Sequence, residues 1–346
     1  MDLQPSSLSF FNFTRDELSR VCDSRFGRRY IADQLFDWVY NKRVTLPLEM
    51  TNLSLELRRL LKDVFTFSVP IPELKALSKD GTIKFLFKFD EKSVVESVLM
   101  PSRNRWTLCV SSQAGCGMGC SFCKTATLGL RRNLSTAEII GQIMHALSEV
   151  QRINNIVFMG MGEPFANYQN VKRAIFILTD KKGLNFSWRS VCVSTVGIVP
   201  KIARFFDDGV PAQLAISLNA PTQAKREQIM PVSKKFTIDQ LIEQIRTSKL
   251  KKRQKIFIEY VMLKGFNTNL EDLNALVKLL DVVKHKIKIN LIPFNVFDGS
   301  AFARPNNDEI HLWRDMLLKA GFSVTIRWSK GVDIQGGCGQ LAGGII

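Results

Sequence analysis

The sequence predicts an α/β protein: strand–helix units wound into a partial, TIM-like (β/α)6 barrel, preceded by a small helical domain and a β-hairpin extension. Three observations carry this. From about Arg105 onward, short apolar runs alternate with helical stretches, the pattern of a parallel sheet closed or partly closed on itself. Over residues 14–63 the apolar residues keep helical spacing without such alternation. The residue types suited to chemistry fall directly after the apolar runs, where such barrels place their sites.

The elements follow in order. RRYIADQLFDWVYNKR sets Ile31, Leu35, Phe36, Val39 and Tyr40 near helical spacing, and SLELRRLLKDVF reads as a second helix capped by Ser54 or Asn52. Residues 1–70 are thereby expected to form an accessory domain without a catalytic constellation. Over 71–104, TIKFLFKF and VVESVLMP flank a polar DEKS turn and predict a β-hairpin. Within 105–346 the expected strands are WTLCVSS, NIVFMG, VCVST, QLAISL, IFIEYVML and IKINLIPF. The helices between them include STAEIIGQIMHALSEV, where Ser135 and Glu138 form a capping box, NVKRAIFILTD, TIDQLIEQIRTS and LEDLNALVKLLDVV. The chain closes on IRWSKGVDIQGGCGQLAGG, whose glycines predict a mobile, accessible loop around Cys338.

At 45% hydrophobic residues, a chain of 346 has enough for a sizeable core. The opening MDLQPSSLSFFNF lacks the basic start and apolar run of a secretory leader, and no stretch reaches the apolar length of a membrane span. The expected setting is cytoplasmic, with free thiols. Cys22 and Cys192 read as small core hydrophobes. Lys and Arg number 48 against 32 Asp and Glu, a formal charge of +16. Such a balance favours a polyanionic partner, above all nucleic acid. Basic clusters lie at RFGRR (25–29), at Arg131 and Arg132, and at KLKKRQK (249–255).

SQAGCGMGCSFC places Cys116, Cys120 and Cys123 in a C-x3-C-x2-C pattern. Structural zinc normally takes four protein ligands, whereas the local set stops at three and the chain has only three histidines. A redox pair would use Cys120 and Cys123 and leave Cys116 unexplained. Three thiolates on a glycine-bearing loop suit an iron–sulfur cluster, with one iron of a [4Fe–4S] core left open. A zinc-binding interaction module and a non-catalytic RNA-binding protein with a structural cluster are the readings from other classes.

C-x3-C-x2-C after the first barrel strand resembles the radical S-adenosylmethionine (SAM) superfamily. LCVSSQAGCGMGCSFCKTATLGLRRNLS, followed in order by MGMGEP, VSTVGIVPKI, LAISLNAP, NLIPFN and CGQLAG, resembles the RlmN/Cfr group of RNA adenine methyltransferases. RRYIADQLFDWVYNKRV with EMTNLS resembles that group's N-terminal module. The resemblance implies a [4Fe–4S] cluster on Cys116, Cys120 and Cys123. It also implies SAM contacts at Gly160, Gly162, Glu163, Ser194, Ser217, Leu218, Asn219 and Asn295, the glycines permitting close backbone approach to the cofactor. One SAM would methylate Cys338, and a second would generate the radical that activates the methyl group for addition to adenine. Glu96 would accept the proton, and Cys109 would release the RNA by forming a transient disulfide with Cys338. Read alone, Glu96 is an exposed hairpin carboxylate and Cys109 a buried strand thiol.

The implied substrates are the peptidyl-transferase-centre adenine of 23S rRNA, methylated at C2, and an adenosine of some tRNAs. The alternative is Cfr-type C8 methylation, although LAISLNAP and NLIPFN look closer to the C2 branch. An external electron donor such as flavodoxin and a monomeric state belong to the same expectation. Three positions depart from the group's pattern. Asn219 stands where it usually has His, and Gly336 and Gly337 replace an Ala pair, which is expected to loosen the Cys338 loop.

Overall fold

Ten strands form one sheet whose spatial order is the order of the chain. They are β1 (Leu74–Leu77), β2 (Ile83–Asp90), β3 (Ser93–Ser102), β4 (Arg105–Cys109), β5 (Asn155–Phe158), β6 (Val191–Thr195), β7 (Gln213–Ser217), β8 (Ile256–Met262), β9 (Ile287–Pro293) and β10 (Val324–Ile326). This computed structural model describes residues 8–342, so the leader-free reading of MDLQPSS and the final glycines of LAGG lie outside it. From β4 to β10 all pairings are parallel. The sheet stays open because β1 and β10 are edges, which makes the barrel a partial one.

The six expected barrel strands are all present. Their central residues read as unbroken apolar runs because helices cover one face and the barrel interior fills the other; Leu214, Ala215 and Ile216 of β7 are fully buried. A seventh parallel strand, β10, spans only three half-buried residues, too short for a periodic signal. The expected hairpin is β2–β3, with an irregularity between Lys88 and Asp90. It is more than an appendage: β1 extends it, and β3 pairs with β4 with Val98 opposite Cys109, so it continues the barrel sheet.

Helix Thr136–Glu149 begins with the expected capping box of Ser135 and Glu138, both hydrogen bonds being present. In the N-terminal segment, helix Ile31–Phe36 runs on as a π-helical turn over Asp37–Asn41, and Ser54 rather than Asn52 caps helix Leu55–Val64. Phe10, Phe36, Tyr40, Phe65 and Phe67 form an aromatic cluster there, with Phe36 and Tyr40 centroids 4.9 Å apart. This cluster is continuous with the barrel core. Polar ties reinforce the seat: Arg15 meets Asp180 at 3.0 Å, and Arg173 meets Glu17 at 2.9 Å.

The turn between β1 and β2 reaches the far end of the chain. The Ser78 hydroxyl and the Lys79 amide both donate to Asp333, while Asp80 accepts from the Gly331 amide at 3.1 Å. Gly331 has φ +62°, and a Cβ there would stand 2.8 Å from the Thr82 methyl carbon. The tail that carries Cys338 is thus fastened to the hairpin. Asp333→Ala should release this tether, so that trypsin cleaves after Lys330 several-fold faster while the melting temperature barely moves. Unchanged cleavage would show that Asp333 does not hold the tail.

Candidate active site

The loop that follows β4 bears the three clustered cysteines, and its backbone is tightly shaped. Gln113–Gly115 pairs antiparallel with Leu130–Asn133, and the Cys116 amide donates to the Gly129 carbonyl at 3.0 Å. At Gly115, φ is +73° and a Cβ would sit 1.9 Å from the Gly129 oxygen, so only glycine fits. Cys116, Cys120 and Cys123 line one cavity of about 240 Å³, together with Cys109, Glu163 and Cys338. No three His, Cys, Asp or Glu side chains among the described residues converge tightly enough for a single metal ion. Three thiols set around a cavity instead suit a polynuclear core. Burial pushes the Cys116 thiol up to about 12 and also raises Cys120 and Cys123, so metal loading must release their protons.

MGMGEP follows β5 and packs against this loop. A Cβ on Gly160 would lie 2.7 Å from the Val110 oxygen, and one on Gly162 would lie 2.5 Å from the Gln113 Cβ. The space that glycine leaves free is therefore filled by the protein's own chain, and both glycines line the cavity. Glu163 is buried, and its carboxylate accepts from the amides of Phe165 at 2.9 Å and Val196 at 2.8 Å. Desolvation outweighs these bonds and pushes its pKa up to about 7.

Ser194, Ser217, Asn219 and Asn295 line the same cavity, each at or just beyond a strand end. Leu218 does not: its side chain is buried, its amide donates to Glu259, and its carbonyl accepts from Arg226. Asn219 adopts φ +57°, a left-handed conformation that Asn tolerates better than most residues. Its Oδ1 accepts from the Val261 amide at 2.9 Å, bracing the ends of β7 and β8. Asn295 donates to Ser329 Oγ at 2.7 Å and to the Cys338 carbonyl at 2.9 Å, leaving its buried Oδ1 without a partner among the described residues.

Cys338 opens into the cavity, yet the loop around it is not loose. The Lys124 amide donates to the Gly339 carbonyl at 2.7 Å, Thr125 Oγ1 to the Leu341 carbonyl at 2.6 Å, and Gln340 Nε2 to the Val296 carbonyl at 2.9 Å. A Cβ on Gly337 would stand 2.7 Å from Gln340 Oε1 and 3.0 Å from Asn295 Nδ2. Glycine there admits a close fit, in contrast to the expected loosening. Although accessible through the cavity, the Cys338 thiol is surrounded by protein, and desolvation pushes it up to about 12. Cys109 is likewise pushed up to about 12, by burial first and by the nearby Cys338 second. All seven cysteines are free thiols, so no disulfide joins Cys109 and Cys338.

Glu96 is only 1% exposed, which overturns its reading as an exposed hairpin carboxylate. Glu96, Val98 and Met100 share one face of β3, and Val98 is opposite Cys109. Lys84 Nζ, also buried, lies 3.0 Å from Glu96 Oε1 at an angle that leaves this oxygen without a hydrogen bond. The Ala342 amide donates to Oε2 at 2.9 Å, so the tail just past Cys338 covers the carboxylate.

Sequence reasoning missed Lys84 and Arg226. Arg226, in the unremarkable polar stretch TQAKREQI, is fully buried. Its guanidinium donates to the carbonyls of Val196 at 2.6 Å and of Ser217 and Leu218 at 3.0 Å, and to Ser233 Oγ at 2.8 Å. Burial lowers its pKa to about 10, so it stays charged. One side chain thus gathers the ends of β6 and β7 behind the cavity; nothing in residue type or spacing marks it.

A barrel with three loop thiols at its strand ends defines a radical SAM enzyme. The sequence model of the Radical SAM superfamily matches residues 110–280. The structure aligns with the crystal structure of a radical SAM methyltransferase from Sphaerobacter thermophilus at a TM-score of 0.90 and 35% identity, covering 97% of this chain and 100% of that one. Residues 8–67 match the ribosomal RNA large subunit methyltransferase N-terminal domain. The dual-specificity RNA methyltransferase RlmN of Geobacter sulfurreducens is 46% identical over 95% of this chain and 90% of its own length. A probable dual-specificity RNA methyltransferase RlmN of Aquifex aeolicus is 43% identical over 95% and 96%. The chain belongs to the RlmN family of radical SAM RNA methyltransferases, whose cofactors are a [4Fe–4S] cluster and SAM. No helix among the described residues is long and apolar enough to cross a membrane.

Arg226→Met should lower unfolding stability by about 3 kcal/mol or more, because several buried acceptors lose their donor together. Chemical denaturation would check this, and a change under 1 kcal/mol, roughly the worth of one ordinary hydrogen bond, would contradict the tethering role.

Proposed function

We propose that this enzyme methylates C2 of an adenine in 23S rRNA and of an adenosine in tRNA, delivering the one-carbon unit from Cys338. The observation that best supports this reading is that Cys338, Cys109 and the three loop cysteines line a single cavity although they come from opposite ends of the barrel sequence. C2 is favoured over C8 because the curated relatives carry the RlmN name.

Cys116, Cys120 and Cys123 would hold the cluster. Glu163, Ser194, Ser217, Asn219 and Asn295 would hold SAM, while Gly160, Gly162 and Leu218 shape the backbone around it. When bound, this pair would supply the methyl group, the one-electron chemistry that activates it and the acceptor for the odd electron that the base gives up as Glu96 takes its proton. The remaining work falls to side chains. Once the carbon on the Cys338 sulfur has joined the base, RNA is tethered to the protein through a C–S bond. Glu96 takes the proton from the modified ring carbon, with the tail over its Oε2 moving aside. Lys84 balances the Glu96 charge, which would otherwise lie buried and unpaired. The Cys109 thiolate then attacks the Cys338 sulfur. An S–S bond forms as the C–S bond breaks, and the electron pair leaves with the new carbon, which is protonated to a methyl group. An external dithiol restores the two thiols.

Residues 1–70 serve in this reading as an RNA-binding accessory domain, 71–104 as the extension that fastens the tail, and 105–346 as the methyltransferase core. A groove of about 750 Å³ lined by Arg20 and Arg25, beside the paired Glu17 and Arg173, supports the first assignment. The enzyme works as a cytoplasmic monomer with a flavodoxin-like electron donor.

Anaerobic reconstitution, incubation with SAM, reductant and either RNA, and mass spectrometry of the nucleosides should yield 2-methyladenosine. A product of 8-methyladenosine, or unmodified RNA, would contradict the proposal. Native protein should bind about four irons per chain, and Cys120→Ala should lose the brown colour; retention of full iron content would refute the ligand assignment. Because Glu163 ionises near pH 7 and is charged only above it, its attraction for the SAM ammonium should fade on acidification. Equilibrium dialysis should show SAM binding weakening as pH falls through about 7, with the dependence flattened in Glu163→Gln. An identical pH profile in the variant would remove Glu163 from the SAM site.

A further inference from the structure

Of the aromatic side chains that line the cavity, Phe122, Phe158 and Phe294 are buried, whereas Trp328 is 45% exposed at its mouth. Trp328 follows β10 on the tail that leads to Cys338, and its position is fixed on both sides. The Arg327 amide donates to the Leu291 carbonyl at 2.8 Å, and Ser329 Oγ accepts from Asn295 at 2.7 Å. The Arg304 guanidinium lies 5.5 Å from the Trp328 ring centroid. Arg327 and Lys330 line the same mouth. Among the described residues, none of these three cations is ion-paired with a carboxylate.

We propose that Trp328 is a stacking platform for an unpaired RNA base adjacent to the target adenine. This rests on the RNA-methylating reading of the same cavity and names a contact that reading leaves open. A target base that enters the cavity must leave its stack, and so exposes the face of its neighbour. An exposed indole at the entrance replaces the lost stacking, as aromatic side chains do for single-stranded RNA. Arg327 and Lys330 at the same mouth match the phosphates on either side of that base, while Arg304 stands over one side of the ring. The three phenylalanines cannot do this, because their faces are already packed inside the protein.

The test uses the reconstituted enzyme and an RNA hairpin with the target adenine in its loop, with binding measured at fixed salt. Trp328→Ala should weaken binding by about 5- to 150-fold, the range that base–aromatic stacking supplies. Trp328→Phe should recover most of the affinity and Trp328→Leu little of it. The salt slope should stay the same in all variants, since no phosphate contact is removed. An abasic nucleotide next to the target should weaken binding by the native enzyme but not by Trp328→Ala. Unchanged melting temperatures would confirm that the variants are folded. Native-like affinity in Trp328→Ala, full recovery by Leu, or an abasic penalty equal in both proteins would overturn the stacking assignment alone. RNA left unbound by the native enzyme would overturn the parent reading with it.

Discussion

The structure depends on how a terminal tail is fastened across the open end of a barrel. Cys338 lies beyond the last strand, Cys109 ends the first parallel strand, and the cluster cysteines follow directly after it. Backbone bonds from Lys124 to Gly339, together with the Thr125 hydroxyl on Leu341 and the Asn295 amide on Cys338, bring these segments to one cavity. The turn between β1 and β2 grips the same tail through Asp333 and Gly331. The hairpin therefore bears on the site: Met100 of β3 lines the cavity, and without the β1–β2 turn the tail would lose one of its two moorings.

The charges are sorted by depth. The basic side chains are spread over the surface, and some have local company: Arg29 pairs with Asp23 and Arg132 with Glu138 and Asp90. Buried charges are fewer, and several stand beside the cavity. Lys84 stands beside Glu96, and Arg226 binds only neutral acceptors at the strand ends. Glu163 is held near neutrality by burial at the wall of the cavity. The exposed cations at its mouth instead face the solvent from which a polyanion arrives.

Much of this was legible in the sequence because it rests on local pattern. Parallel strands buried on both faces announce themselves as apolar runs, and the Ser135 capping box follows from spacing within one helix turn. The three loop cysteines were legible for the same reason, being neighbours in the chain. What stayed hidden depends on contacts between distant segments. Glu96 reads as a hairpin carboxylate until Lys84 and Ala342 are seen to enclose it. Arg226 resembles any surface arginine, since its acceptors are backbone carbonyls that no residue type reveals. Gly337 suggests a loose loop, because the side chains that crowd it, Gln340 and Asn295, approach it only in the folded chain. β10 is too short to carry a period.

The central claim is that Cys338 carries the new carbon to RNA and Cys109 releases it. Denaturing electrophoresis of reconstituted variants with labelled RNA tests it most directly. The account expects Cys109→Ala to accumulate a slow, protease-sensitive RNA–protein band, because no thiolate can attack the Cys338 sulfur. Glu96→Gln should accumulate the same band, and Cys338→Ala should form none while still assembling its cluster. A slow band from Cys338→Ala, or normal product release by Cys109→Ala, would contradict the account.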